Sequence, residues 1–218
     1  TNLFHHSLRL FIMISPSMIH ELNEKQQQSV NLHEETNALI LAGAGSGKTL
    51  VLTHRIHYLV SAKNYHIDDI LAVTFTNKAA NEMKERLSSL LRQPINRAWV
   101  GTFHSIAHRI LRTHPAEANL SPDFQILDSQ DQSRIIRRLM KENAIDETKF
   151  PYTLVQRFIN QQKDEGVLPQ NVDGSYNYFN KQNTKIYDLY EKHCQANNFV
   201  DFSGLLVKSY ELLKNNQS

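Results

Sequence analysis

The chain has 218 residues, of which 40% are hydrophobic and 21% are charged, with a net charge of +2 and a single cysteine, Cys194. This composition is typical of a globular protein and excludes a disordered chain and a disulfide framework. No Cys/His cluster has the spacing of zinc ligands, and no apolar run is longer than the five residues of 10–14, which is too short to cross a bilayer. We therefore expect a soluble cytoplasmic protein without a membrane partner.

Charge is unevenly distributed along the chain. Residues 1–114 carry twelve basic and eight acidic side chains, whereas residues 115–218 carry twelve and fourteen. The mildly basic first half is compatible with a phosphate-binding surface, although most basic side chains of any protein are simply solvated.

Residues 1–17 are predicted to be an upstream extension, with Met13 or Met18 as the natural start. Their apolar run is short, Arg9 interrupts it, and no small-residue cleavage site follows. These features do not favour a signal peptide.

Three short apolar segments recur in the first half, at residues 38–42, 70–75 and 98–103. Each is followed by a stretch in which apolar residues return at helical spacing. Strands that alternate with helices in this way are typical of βαβ units, so the segments predict a parallel sheet. Ligands of such sheets bind at the carboxyl ends of the strands.

The second half of the chain has a different pattern. Ser129 and Gln132 are predicted to form a capping box at the start of one helix, and Pro151 is expected in the first turn of a second helix. Two further helices are expected, one through residues 186–194 and one over 202–213. No strand is predicted here, so we expect an all-helical region.

The most informative string is AGAGSGKT, which fits the phosphate-loop pattern with alanine in place of its first glycine. Its glycines let the backbone turn tightly and bring amide groups close to phosphates, and the following helix adds its positive N-terminal end. Lys48 can reach the β- and γ-phosphates, while the Thr49 hydroxyl can ligate Mg²⁺. The string therefore predicts binding of a nucleoside triphosphate. Its residues are Ala42, Gly43, Ala44, Gly45, Ser46, Gly47, Lys48 and Thr49.

Further strings indicate which kind of phosphate-loop protein this is. They are LNEKQQQSV (22–30), AVTFTNKAANEM (72–83), WVGTFHSIAHRIL (99–111), DFQILDSQDQ (123–132), QQKDEG (161–166) and VDFSGLL (200–206). In these strings and their order, the sequence resembles the UvrD/PcrA/Rep family of superfamily 1 DNA helicases, from about residue 22 to residue 213.

The resemblance implies a fold of the α/β class. It is that of a P-loop NTPase, with a RecA-like parallel sheet that has helices on both faces, plus an all-helical inserted subdomain. The expected limits are residues 18–112 for the incomplete first motor domain, 113–197 for the insertion and 198–218 for a helix that returns to the motor domain.

The resemblance also implies ATP and Mg²⁺ as cofactors. Gln26 matches the glutamine that reads the adenine in the family, and its amide could both donate to and accept from the base edge. Lys48 and Thr49 match the catalytic residues of the phosphate loop. Leu50 stands where the bacterial enzymes often have an arginine that packs over the adenine, so the cation–π interaction would be lost.

The resemblance implies single-stranded DNA as a partner. It would bind the strings that end the second and third apolar segments. Phe75 is placed to stack on a base, and Thr76 and Asn77 to hydrogen-bond the backbone or the sugar. The strings at 123–132 and 161–166 are expected to supply turns and caps rather than contacts. The implied DNA-contact residues are Thr74, Phe75, Thr76, Asn77, Thr102 and His104.

ATP hydrolysis also needs an acidic pair at the end of an apolar strand. In the family that element comes after the string at 200–206 and the helix behind it, and a second motor domain completes the cleft. None of the acidic pairs in this chain follows four consecutive apolar residues. We therefore expect an N-terminal piece of a longer enzyme, and we expect this piece alone not to hydrolyse ATP. The pairs are Glu34–Glu35, Asp68–Asp69, Asp146–Glu147 and Asp164–Glu165.

For the intact protein, the resemblance implies a bacterial ATP-dependent helicase that moves 3′ to 5′ on single-stranded DNA. It would unwind duplex at single-strand/double-strand junctions, with DNA-repair proteins as candidate partners. Three alternatives stay open: a phosphate-loop kinase or ATPase that never touches DNA, the motor of a RecB/AddA-type helicase–nuclease, and a non-hydrolysing module that only grips DNA.

Overall fold

A computed structural model describes residues 22–43, 45–172 and 178–216 of the chain. They divide into two compact units, on either side of the bond between Phe103 and His104. Both units are mixed α/β, with helices dominant and a small parallel sheet in each. The extension predicted at residues 1–17 lies outside the described residues, and the predicted domain limits stay predictions.

The first unit is built around a βαβ element. Its helices are α1 (Glu24–Val30), α2 (Lys48–Lys63) and α3 (Asn77–Leu91), its strands are β1 (Leu71–Thr74) and β2 (Trp99–Thr102), and a 3₁₀ turn at Ile67–Asp69 precedes β1. The strands are parallel, with Leu71 opposite Trp99 and Thr74 opposite Thr102. The prediction of parallel pairing between these two segments is therefore confirmed, and both strands end at the same edge of the sheet.

The core of this unit lies between α2, α3 and the two strands. Met83 and Leu87 are four residues apart on α3, so both side chains lie on one face of the helix. The buried apolar cluster consists of Ile56, Ile67, Ala72, Met83, Leu87, Ile95, Ala98 and Val100.

The strand predicted at residues 38–42 is wrong. These residues have no regular secondary structure, and the side chains of Leu39 and Leu41 are each 83% exposed. An apolar segment becomes a strand only when its backbone N–H and C=O groups pair with a neighbour. Among the described residues of this unit, the one ladder joins β1 to β2.

The second unit is mainly helical. Helix α4 (Phe103–Thr113) leads into it, and its other helices are α5 (Ser129–Glu142), α6 (Tyr152–Asp164), α7 (Tyr178–Ala196) and α8 (Phe202–Asn215), with a 3₁₀ turn at Pro169–Asn171. One buried cluster packs α5, α6 and α7 together, and a second packs α4 against α8. The four helices predicted from the second half are confirmed.

The expectation that the second half is all-helical is wrong. Strands β3 (Gln125–Leu127) and β4 (Phe199–Asp201) form a parallel pair, with Gln125 opposite Phe199 and Leu127 opposite Asp201. Each strand has three residues, too few for a period-two pattern to be recognised. Three helices separate the strands in sequence, so only tertiary packing brings them together.

The predicted capping box at the start of α5 is also wrong, by one residue. The N-cap is Asp128, whose Oδ1 accepts hydrogen bonds from the N–H groups of Gln130 (2.8 Å) and Asp131 (2.7 Å). Aspartate is among the best N-cap residues. Ser129 is therefore the first helical residue rather than the cap.

Across the three described ranges, no helix combines the length and the apolar character needed to cross a membrane.

Candidate nucleotide and nucleic-acid site

The phosphate-loop string forms a tight turn that leads directly into α2. Gly45 and Gly47 have φ angles of +75° and +85°, a left-handed conformation that glycine adopts without a steric penalty. The Ser46 hydroxyl donates a hydrogen bond to the carbonyl of Gly43 across the turn (2.7 Å). Ala44 lies outside the described residues.

The start of α2 presents several hydrogen-bond donors. Gly47 is the N-cap and contributes no side-chain cap, and the first N–H groups of a helix, which have no partner within it, can donate to an anion. The Lys48 ammonium donates to the carbonyls of Ala42 and Gly43, each at 2.6 Å, which holds it over the loop. Thr49 is exposed in the first turn. Amides, an ammonium and a hydroxyl form a donor set that suits a polyphosphate.

Gln26 contacts this loop directly. Its amide nitrogen donates to the carbonyl of Ser46 (3.1 Å), and its amide oxygen accepts from the backbone of Asn23 (2.8 Å) in the capping box that begins α1. A methyl group at Gly47 would lie 2.9 Å from that amide nitrogen. The structure thus brings Gln26 and the phosphate loop together.

Leu50 has a structural contact of its own. It is partly buried against the apolar cluster of Leu22, Val30 and Val51, which joins α1 to α2. Its side chain therefore contributes to holding the two helices together.

The carboxyl end of β1 exposes an aromatic ring. Phe75 is 94% exposed, although a phenylalanine that follows a strand is usually buried. The neighbouring hydroxyls have local roles: that of Thr74 donates to the carbonyl of Thr76 (3.0 Å), and that of Thr76 caps α3 at the N–H of Ala79 (3.2 Å). Asn77 is exposed at the start of α3.

A second exposed ring lies beside Phe75. The ring centroids of Phe75 and Phe103 are 6.2 Å apart, with the rings tilted by 57°. Each ring follows one member of the strand pair Thr74–Thr102, so the sheet register itself places them side by side. Phe103 was not among the predicted contact residues, but a signal was present, because the dipeptide Thr-Phe ends both apolar segments.

The two candidates from the GTFH string belong to different units. Thr102 is partly buried and ends β2. His104 belongs to the second unit, where its ring stacks on Phe202 with a centroid distance of 3.7 Å and an angle of 12°. Burial lowers the pKa of His104 against a smaller opposing effect of Asp164, so the ring is neutral at pH 7. A neutral ring can form a hydrogen bond but adds no positive charge beside a phosphate.

The strings at 161–166 and 200–206 meet in a buried ion-pair cluster. The Lys163 ammonium lies 2.7 Å from Oδ2 of Asp201 and 2.6 Å from a carboxylate oxygen of Glu191. The Tyr190 hydroxyl (2.8 Å) and the Gln132 amide (3.2 Å) donate to the same Asp201 oxygen. Burial alone would lower the pKa of Lys163, but the two carboxylates outweigh it and raise that pKa. We call these five residues the Lys163 cluster.

Comparison with known proteins gives one consistent result. Residues 22–218 match the family model of the UvrD/REP helicase N-terminal domain. DNA helicase II of Salmonella typhimurium and that of Escherichia coli are each 46% identical over 198 residues, which is 91% of this chain and 27% of the relative. The ATP-dependent DNA helicase PcrA of Bacillus subtilis is 38% identical over 200 residues, again 91% and 27%. The chain thus spans about a quarter of the length of these relatives.

Proposed function

The chain belongs to the UvrD/REP helicase family, and on that premise we propose that it is the N-terminal, ATP-binding part of an ATP-dependent DNA helicase. The intact protein moves 3′ to 5′ on single-stranded DNA and unwinds duplex DNA at junctions, in repair or replication in a bacterial cytoplasm. The observation that carries the proposal is the phosphate loop at the start of α2, with Lys48 over the loop and Gln26 hydrogen-bonded to Ser46.

In this proposal the nucleotide lies along the loop and the first turn of α2. Its phosphates accept hydrogen bonds from the loop amides and from Lys48, and its base contacts Gln26 and the apolar side chain of Leu50. Mg²⁺, when bound, would neutralise phosphate charge, and Thr49 is the residue that would hold it, through its hydroxyl. The nucleotide-binding residues are Gln26, Ala42, Gly43, Ala44, Gly45, Ser46, Gly47, Lys48, Thr49 and Leu50.

Residues 18–112 belong, in the same proposal, to a RecA-like motor domain with helices on both faces of its sheet. Residues 113–197 form the insertion, which is mainly helical but includes β3, and residues 198–218 return to the motor domain. The βαβ element of β1, α3 and β2 supports this assignment, because such units are the repeating element of P-loop sheets.

Single-stranded DNA is the proposed partner of the edge where β1 and β2 end. The exposed ring of Phe75 stacks on a base, and the Thr76, Asn77 and Thr102 side chains contact the backbone or sugar. His104, which belongs to the second unit, is proposed separately to contact DNA as a neutral ring. Two motor domains that close and reopen during each ATP cycle change the spacing between their DNA grips, which moves the protein along the strand.

The chain by itself is proposed to bind nucleotide without hydrolysing it. Each of the four acidic pairs has a member in a structural contact, which supports this proposal. Glu34 pairs with Lys63 (3.3 Å), and Asp68 lies 4.0 Å from Arg97. Asp146 accepts from the backbone of Thr148 (2.9 Å), and Glu165 accepts from the Gln161 amide (3.1 Å).

We expect no ATP turnover by the purified chain, with or without single-stranded DNA, although it binds ATP. The measurement is phosphate release at saturating MgATP, with Lys48→Ala measured beside the unchanged chain. DNA-stimulated turnover that disappears in Lys48→Ala would contradict the proposal, because a carboxylate within these residues would then complete the catalytic site.

Replacement of Phe75 by alanine is expected to weaken the binding of an oligo-dT strand about five- to a hundredfold, since base–aromatic stacking contributes about 1–3 kcal/mol per base. Stability should hardly change, because the ring is exposed. Fluorescence anisotropy of a labelled oligonucleotide measures the effect. Leu71→Ala, which removes an exposed apolar side chain from the other end of β1, is the matched control. Equal affinity of Phe75→Ala and the unchanged chain would exclude a stacking role.

A further inference from the structure

Arg55 connects the phosphate-loop helix to the end of the helix that carries Gln26. It lies in α2, seven residues after Lys48, which corresponds to about 10 Å along the helix axis. One guanidinium nitrogen donates to the carbonyls of Val30 (2.8 Å) and Leu32, and the other donates to the carbonyl of His33 (3.2 Å). A single side chain thus contacts three carbonyls at and just beyond the end of α1.

Val30 is the last residue of α1, whereas Leu32 and His33 lie just beyond it, and the His33 carbonyl also accepts from the N–H of Thr36 (3.0 Å). The last carbonyls of a helix have no partner within it, and a positive charge is favourable there. The last turn of α1 contains no basic residue of its own. Arg55 supplies the missing charge from α2, and its fork of N–H groups suits several acceptors at once.

The position of α1 depends on such contacts because the helix is short. Helices of seven residues are not stable alone in water. Near its start α1 contacts the phosphate loop through Gln26 and Ser46 (3.1 Å), and at its end it is held by Arg55. An ion pair between Lys63 and Glu34 (3.3 Å) also joins the segment after α1 to α2.

We propose that Arg55 is a positioning residue for base recognition: by holding the end of α1 against α2, it keeps the Gln26 amide beside the phosphate loop. The inference rests on the proposed function, in which Gln26 contacts the base of ATP. Arg55 is not one of the proposed nucleotide-binding residues and lies seven residues beyond Lys48 in α2. Its loss therefore affects the part of the binding energy that comes from the base and leaves the part that comes from the phosphates.

The test compares ATP, GTP and inorganic tripolyphosphate as ligands of the purified chain, by isothermal titration calorimetry with Mg²⁺ present. Arg55→Lys keeps the positive charge, but a lysine ammonium lacks the planar fork with which the guanidinium donates to three carbonyls from two nitrogens. We expect its ATP affinity to fall about tenfold, to the level of GTP, while tripolyphosphate affinity stays within about twofold. Arg86→Lys, an exposed arginine of α3, is the matched control and should change none of the three affinities.

A double-mutant cycle with Gln26→Ala separates positioning from a general structural role. If Arg55 acts through Gln26, the double variant Gln26→Ala/Arg55→Lys loses no more ATP affinity than Gln26→Ala alone. Additive losses, or a parallel fall in tripolyphosphate affinity, would overturn the inference. Arg55→Lys is used rather than a truncation because it retains a cation at the end of α1, and circular dichroism verifies its fold.

The outcomes also separate this inference from the proposed function. If the unchanged chain binds ATP no better than tripolyphosphate, the proposed base contact fails, and the inference fails with it. If Gln26→Ala abolishes the preference for ATP over GTP but Arg55→Lys retains it, the inference alone is overturned.

Discussion

Replacement of Lys48 by alanine is expected to weaken the binding of MgATP to this chain by roughly ten- to a hundredfold. Hydrogen bonds that involve a charged group contribute about 1.5–3 kcal/mol each, which corresponds to that range of affinity. The ammonium lies 2.6 Å from two loop carbonyls, so it is already within the turn that would surround the phosphates. Tripolyphosphate should lose affinity in parallel, because Lys48 is proposed to contact the phosphates rather than the base.

The measurement for Lys48→Ala is calorimetric titration with MgATP and with tripolyphosphate. Lys84→Ala is the control, since it removes an exposed lysine of α3 and the same amount of charge from the same unit. Unfolding by urea should give the same midpoint for both variants, because neither side chain is buried. An ATP affinity of Lys48→Ala equal to that of Lys84→Ala would refute the assignment of the phosphate site.

The second large effect concerns stability rather than binding. Lys163→Met is expected to lower the free energy of unfolding of the second unit by about 3–5 kcal/mol, because it leaves buried carboxylates without their counter-charge. Lys163 and Asp201 are almost completely buried, and Asp201 also accepts from the N–H of Gly204 at the start of α8 (2.7 Å). The cluster therefore joins α6 and α7 to the junction of β4 and α8.

A matched control for Lys163→Met exists on α7. Lys192 and Asp188 form an ion pair at the same N–O distance, 2.7 Å, but on the surface. Lys192→Met should cost less than about 1 kcal/mol, because exposed pairs contribute little. Urea denaturation followed by circular dichroism measures both variants. Similar losses of unfolding free energy for the two variants would mean that burial does not determine how much the Lys163 cluster contributes to stability.

The Lys163 cluster also explains a glycine in the string at 200–206. A methyl group at Gly204 would lie 2.7 Å from the Asp201 carboxylate oxygen that caps α8. That oxygen is held by the cap, so a larger residue could be accommodated only if the cap were displaced. The string at 200–206 carries part of the family resemblance, and this contact gives a physical reason for its glycine.

Several features could be predicted because they depend on residues that are close in sequence. The phosphate loop is specified by glycines at the positions with positive φ and by Lys48 and Thr49 at the start of the helix that follows. The helices follow from apolar spacing and local caps. The exposure of Phe75 and its pairing with Phe103 needed the sheet register in addition.

Other features were decided by tertiary structure alone. The pairing of β3 with β4 and the burial of Lys163 join residues that lie far apart in sequence, and no local pattern encodes such contacts. The predicted strand at 38–42 failed for the same reason: its apolar residues have the right composition, but strand formation depends on a hydrogen-bonding neighbour.

What the sequence by itself determined is thus the family, the phosphate loop, the helices α2 to α8 and the parallel pairing of β1 with β2. Residues a few positions apart encode the loop and the helices, whereas the alternation of apolar segments with a helix between them indicates the parallel pairing. Only the tertiary structure decided that Arg55 contacts the end of α1, that Gln26 reaches Ser46, and that His104 stacks on Phe202. Each of those contacts depends on how separate elements pack together, and the spacing of residues along the chain does not specify that packing.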